Sequence, residues 1–341
     1  MTEFFNLVSD DPSGIRIRVS NHGASLISVW VPDRDGKVAD VVIGPETARQ
    51  LETNTAYMGA TVGRFANRVG FGRFDLDGES YQLSLNHGRH HLHGGTGGVH
   101  HRCWDVLELT GSEVLFGLRA ADGLDGYPGN LEMTARYRVV DAATFTVEYE
   151  AQTDRATPVN LAQHAYWNLS GEPQTTVAEH EVLSDAVSWV VEIDEDMIPT
   201  GQLLPAADGP FDFRQAKPLS AGWDSEHPTI QIAGGYDHAL VFHGGLSEEL
   251  QNRVTVRDPQ SGRQMQVQTN MPSLQLYSGN FLDGTQVGKG GAIQSRTGLC
   301  LETQHLPDSM NHEHFPSPVL HPGELYSHHM RFSFALLSEI H

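Results

Sequence analysis

The stretch Leu131-Glu132-Met133-Thr134-Ala135-Arg136-Tyr137-Arg138-Val139 decides the fold. Leu131, Met133, Ala135, Tyr137 and Val139 are apolar or aromatic, and Glu132, Thr134, Arg136 and Arg138 lie between them. Successive side chains of a strand point to opposite faces, so this period of two predicts a strand with one buried face and one wet one. The next run repeats the pattern: Phe145, Val147 and Tyr149 alternate with Thr146, Glu148 and Glu150. Asp141-Ala142-Ala143 between the two runs supplies a tight turn, and the pair reads as a hairpin. Further out the same signal recurs at Ile15 to Val19, Ala24 to Val31, Val114 to Leu118, Val187 to Ile193, Gln264 to Gln268 and Met330 to Leu336. Turn residues separate these runs, as at Asp35-Gly36, Asp77-Gly78 and Asp258 to Gly262. Thr47 to Leu51 and Ser247 to Asn252 are each predicted to hold a turn or two of helix, and no longer helical period appears. Many strands with Gly-rich turns predict an all-β sandwich or barrel.

Length alone suggests two domains, but large β-sandwiches run well past that size as one unit. With no internal repeat and no Pro/Ser linker, one domain over residues 1–341 is expected. The polar segment Pro205 to His227 is long enough to predict a functional loop or a lid. Lys plus Arg number 22 and Asp plus Glu 43, a net charge of −21. That balance argues against nucleic acid and anionic membrane surfaces as partners, and weakly against phosphorylated substrates. The two cysteines, Cys103 and Cys300, make no disulfide framework, and Cys300 reads as an inert small apolar residue. Met1 to Asn6 has no basic region followed by an apolar run, and no stretch reaches membrane-spanning length. A reducing cytoplasm is the expected location. Oligomeric state is left open.

Chemistry concentrates in a few places. Leu299-Cys300-Leu301-Glu302 reads as a short buried strand ending in an acid, and Thr303 to Asn311 as its polar exit. A buried carboxylate must find partners or raise its pKa, so Glu302 is a candidate site residue. Gly63 to Gly70 places Arg64, Asn67 and Arg68 among small residues, a donor set suited to a polyhydroxylated ligand. Asn86 to Gly98 is rich in histidine and glycine. His91 and His93 could pair on one face of a strand to hold a metal. A metal needs three or four ligands, however, and the neighbouring acid is missing, so no metal is expected. In Pro158 to Leu169, His164 suits either a satisfied core histidine or a general acid or base. Asn160 and Asn168 there suit backbone groups at strand ends. Asp237 follows a Gly pair at a strand start, and Gln275 is a lone amide in an apolar strand that needs a partner. Nucleophile elbow, P-loop and dinucleotide fingerprint are all absent.

Six motifs in order resemble those of the aldose 1-epimerase (galactose mutarotase) family. They are Gly63 to Val69, Leu92 to Gly95, Asn160 to Leu169, Tyr236-Asp237-His238, Tyr277 to Phe281, and Leu301 to Gln304 with Pro307-Asp308-Ser309. The resemblance implies a large antiparallel β-supersandwich with an open sugar-binding cleft. It also implies interconversion of the α and β anomers of an aldose, with no cofactor. On this resemblance Glu302 is the general base and His164 the general acid. His93 contacts the sugar near its ring oxygen, Tyr166 follows the acid, and Asn67, Arg68, Asp237 and Gln275 bind hydroxyls. A bell-shaped pH profile follows, with its basic limb raised by the carboxylate beside His164. Ala165 and Trp167 depart from the family pattern, so the cleft wall beside His164 is expected to differ. His87, His90 and His91 have no counterpart role. Two alternatives remain within the fold, a hexose-6-phosphate epimerase and an idle sugar-binding protein. A metal-dependent enzyme using the His-rich loop is a third.

Overall fold

The computed structural model describes residues 1–337. Among them, paired strands are antiparallel and form two large sheets, a smaller third one and five two-stranded ribbons. The first large sheet runs in the order Asp105–Leu109, Glu113–Ala120, Leu131–Val139, Thr144–Thr153, Tyr326–Leu336, Arg263–Thr269, Gln251–Arg257, Glu181–Leu183, Lys217–Pro218. The second runs Pro199–Pro205, Val187–Ile193, Asp237–Phe242, Ser273–Tyr277, Leu299–Gln304, Tyr166–Trp167, Val42–Ile43. Phe4–Val8, Arg16–Ser20, Ser25–Pro32 and Val38–Asp40 make the third.

The alternation read from the sequence is the alternation of burial. Leu131, Met133, Ala135, Tyr137 and Val139 are buried, and Glu132 and Arg138 are exposed. The turn after them closes with the Val140 N–H donating to the Thr144 carbonyl (2.9 Å), and the Asp141 side chain accepts from the Ala143 N–H (2.8 Å). One apolar cluster joins the sheets, from Leu7, Ile17 and Val29 through Phe116, Phe145 and Phe332 to Trp167, Leu240, Leu274 and Leu301. This shared core makes the sheets a sandwich rather than neighbours.

Two local expectations change. Thr47 caps the helix Ala48–Glu52 by accepting from Gln50, as its sequence suggests. Ser247 to Asn252 forms no helix. The Ser247 hydroxyl instead accepts from the Glu249 N–H (3.1 Å), and Gln251 opens a strand paired with Arg263–Thr269. Short polar side chains compete for backbone groups in this way, and the strand pairing completes the outcome. Pro205 to His227 is no lid: Phe211, Phe213, Leu219 and Trp223 bury themselves in the core, and none of its residues lines the cleft described below.

Candidate active site

The strand Leu299–Gln304 is buried throughout and extends two residues past Glu302. Glu302 therefore sits inside the sheet, opposite Gln275 on one neighbour, with Tyr166 opposite Cys300 on the other. Leu299 and Leu301 enter the sandwich core, so Cys300 and Glu302 face the other way. The same parity explains Ala165 and Trp167. Both join the core, where Trp167 packs on Phe332 (5.3 Å between rings), while His164 and Tyr166 face the cleft. These two departures therefore leave the cleft wall unaltered.

The cleft encloses about 520 Å³. Its other side comes from two loops locked together. The His93 N–H donates to the Asn67 carbonyl (3.0 Å), and the Asn67 N–H donates to His93 Nδ1 (3.1 Å). Behind them a Cβ on Gly94 would lie 1.8 Å from the Gly63 carbonyl oxygen, so only glycine lets the loops meet. Asn160 ties this unit to the Glu302 strand, accepting from the His305 N–H (2.9 Å) and donating to the Ala66 carbonyl (3.3 Å).

At the base, His164 Nε2 lies 3.6 Å from Glu302 Oε1, with both side chains buried. Cys300 Sγ stands 3.6 Å from His164 Nδ1, and burial keeps that thiol neutral. Glu302 Oε2 has no hydrogen-bond partner. Burial first, then the Asp237 charge, pushes the Glu302 carboxyl well above its ordinary value, and Arg68 pulls it part of the way back. Burial pushes His164 down to about 4. Burial thus favours the neutral pair, and desolvation outweighs the neighbouring carboxylate that was expected to raise His164. His93 is likewise held well below its ordinary value by burial and then by His164.

Beside this pair, on the same sheet and two strands over from Glu302, stands Asp237 with its partners. Arg68 Nη2 reaches Asp237 Oδ2 at 3.4 Å, and Gln275 Nε2 donates to Asp237 Oδ1 at 2.6 Å. Of the residues singled out from sequence, Glu302, His164, His93, Asn67, Arg68, Tyr166 and Asp237 line the cleft. Gln275 does not: it lies behind Asp237 and orients it. The Tyr166 hydroxyl donates to the Ala56 carbonyl (3.1 Å), and its ring stacks beside His164 (5.2 Å). Tyr57, His87, Met197, Tyr277 and Phe281 also line the cleft; Tyr277 and Phe281 bound one of the six motifs and His87 lies in the His-rich stretch, but none of the five has a site role assigned from sequence.

The remaining flagged residues are structural. Arg64 donates to the Pro128 and Gly129 carbonyls and to Thr157. His91 spends both ring nitrogens on the Ser84 carbonyl and the Tyr127 hydroxyl (2.7 Å each), so it cannot pair with His93 on a metal. His90 Nδ1 accepts from the Phe71 N–H (3.0 Å), and Asp196 ion-pairs with Arg89 while lying 3.6 Å from His90 Nε2. Among the described residues, potential ligand atoms of His93, His164 and Glu302 come within 4.8 Å of one another. With a backbone N–H on its Nδ1, neutral His93 carries its proton on the other nitrogen, which then offers no lone pair to a metal.

The family model described as Aldose 1-epimerase matches residues 7–333. The chain is 38% identical to the galactose mutarotase of Homo sapiens over 98% of this chain and 94% of that one. It is 36% identical to the aldose 1-epimerase of Escherichia coli K12 over 94% and 92%. A solved GalM/aldose epimerase homologue from C. elegans superposes with a TM-score of 0.90 at 32% identity, covering 99% of this chain and all of that one (100%). The galactose 1-epimerase of Lactobacillus acidophilus gives 0.83 at 26% identity, with 99% of each chain covered. A sandwich with an open cleft, a buried carboxylate–imidazole pair at its base and matches over nearly the whole length agree: the chain belongs to the aldose 1-epimerase family.

Proposed function

We infer that this chain interconverts the α and β anomers of aldohexoses such as glucose and galactose, with Glu302 as general base and His164 as general acid. The observation that carries the roles is the 3.6 Å buried pair at the base of the cleft. The Glu302 carboxylate takes the proton from the C1 hydroxyl. As O1 becomes a carbonyl, the bond from C1 to the ring oxygen breaks, and the protonated His164 gives its proton to that oxygen. The open-chain aldehyde turns about C1–C2, and the same two protons return when the ring closes on the other face. The pair as a whole neither gains nor loses a proton over the cycle. Within a neutral pair, which burial favours, transfer of one proton from Glu302 to His164 produces the reactive form with no exchange with solvent. Arg68, Asp237, Asn67 and His93 hold the sugar while it opens. Such positioning supplies what proton transfer alone, worth about 10²–10⁴-fold, does not.

Neutral aldoses are the proposed substrates. Arg64 is consumed by carbonyls and Arg89 by Asp196, and Arg68 sits against Asp237. The cleft also presents Asp283 and Glu302, a poor setting for a phosphate dianion. We place the activity in one domain, supported by the core that runs from Leu7 to Phe332, and in the cytoplasm, supported by the free thiols Cys103 and Cys300.

The test is polarimetry on freshly dissolved α-glucose and α-galactose. The protein is expected to speed relaxation to an unchanged final rotation. No acceleration with either sugar sinks the reading, and a higher kcat/KM for a 6-phosphate moves it to the phosphate-specific alternative.

A further inference from the structure

Tyr57 lies between the helix Ala48–Glu52 and the strand Thr61–Val62, in a segment bound on two sides. Asn54 donates to the Met58 carbonyl (3.0 Å) and accepts from the Ala56 and Met58 N–H groups (3.2 Å each). From the other side, the Tyr166 hydroxyl donates to the Ala56 carbonyl (3.1 Å), and the Gly59 N–H donates to the His164 carbonyl (2.9 Å). The segment is thus fastened to the residues that carry the acid. Within it Tyr57 takes φ 57°, a left-handed conformation that is costly for a bulky side chain and persists only where the surroundings over-determine it.

That conformation wedges the ring among three imidazoles. Its centroid is 4.6 Å from His93, 4.8 Å from His100 and 5.9 Å from His164. His93 and His164 themselves meet edge-on, 5.2 Å apart at 72°. Tyr57 also lines the cleft, and its hydroxyl has no protein partner among the described residues. We propose that Tyr57 is a positioning residue for epimerisation: its ring holds His93 and His164 at their mutual angle, and its free hydroxyl binds the sugar beside them. The inference rests on the acid–base reading above. A residue that merely filled space would not need a left-handed backbone or an unpartnered hydroxyl on a residue that lines the cleft. Burial pushes the phenol up from its ordinary value, so it meets the sugar as a neutral group able to donate and accept.

The experiment compares Tyr57→Phe, Tyr57→Leu and Tyr57→Asn by polarimetric kinetics across pH, with thermal melts in parallel and Glu302→Gln as control. Tyr57→Phe keeps the ring and is expected to raise KM about three- to tenfold, the loss of one neutral hydrogen bond, while kcat falls less than threefold. Tyr57→Leu loses the ring and is expected to lower kcat about 10- to 100-fold, as small misplacements of reacting groups do, and to shift the pH profile. Should leucine compromise folding, Tyr57→Asn, which tolerates a left-handed φ, carries the same expectation. A folded leucine or asparagine variant with kcat within twofold of wild type and an unmoved pH profile overturns the positioning role. An unchanged KM in Tyr57→Phe overturns the contact with sugar. If Glu302→Gln keeps its kcat, the acid–base reading itself fails; if it collapses and the ring-less Tyr57 variants do not, only this inference fails.

Discussion

Glu302 is a carboxylate held where its charge is disfavoured, and this links function to stability. Its folded-state pKa is raised, chiefly by burial. A group raised in this way stabilises the fold at low pH and loses that contribution as pH rises through its folded value. Glu302→Gln removes the charge and keeps the shape. Its kcat is expected to fall at least about 10²–10⁴-fold, the usual share of a placed proton-transfer group. Its Tm is expected to exceed that of wild type, by a margin that widens from about pH 5 towards about pH 8. Polarimetry and thermal melts on one preparation measure both. Superimposable melting curves at every pH contradict the buried-charge account, and more than about a tenth of wild-type kcat, a barrier change under ~1.4 kcal/mol, contradicts the base assignment.

At the scale of elements, the site depends on where a strand and two loops are pinned. The strand's two-residue period sends Glu302 to the cleft and Leu301 to the core. The loops carry Asn67, Arg68 and His93, and they touch where Gly94 meets Gly63. Gly94 has φ 86°, and a Cβ there would stand 1.8 Å from a backbone oxygen that no side-chain rotation can move aside. Gly94→Ala is therefore expected to cost about 3 kcal/mol or more, since backbone strain and overpacking act together. Chemical denaturation of the variant checks this. A midpoint equal to wild type would mean that the loops part freely, and the rigid far side of the cleft would then need another explanation.

Across the whole molecule, histidine sets the response to acid. Burial holds His100 and His328 down to about 3, and His164, His180, His238 and His305 down to about 4. A base depressed in the fold stabilises it above the unfolded value of about 6.5, and that stability is lost as pH falls towards the folded value. Between about pH 6.5 and 4 each such histidine therefore erodes stability by up to ~1.4 kcal/mol per pH unit. Urea midpoints are expected to drop steeply from about pH 6.5 to about pH 5. A flat profile would show that these rings take up protons in the fold as readily as in the unfolded chain.

The sequence by itself determined the strand faces, because burial in a sheet follows a period of two that Leu131 to Val139 carries in its own residues. It also marked most of the polar residues that line the cleft. Glu302, His164, His93, Asn67, Arg68 and Asp237 stand out as residue types in local motifs, and all six line one cleft. Only the tertiary structure decided what depends on where distant segments meet. Gln275 has the right residue type but stands behind Asp237, because register places it opposite Glu302 while its amide turns to the acid. Pro205 to His227 reads as a polar loop, yet five of its aromatic and apolar residues find the core without any period to announce them. His91 and His93 are two residues apart and look paired, but the Tyr127 hydroxyl claims one and the Asn67 backbone the other. Tyr57 carries no local signature at all: its place against His93 and His164 comes from hydrogen bonds made by Asn54 and Tyr166, and those exist only once the chain has folded.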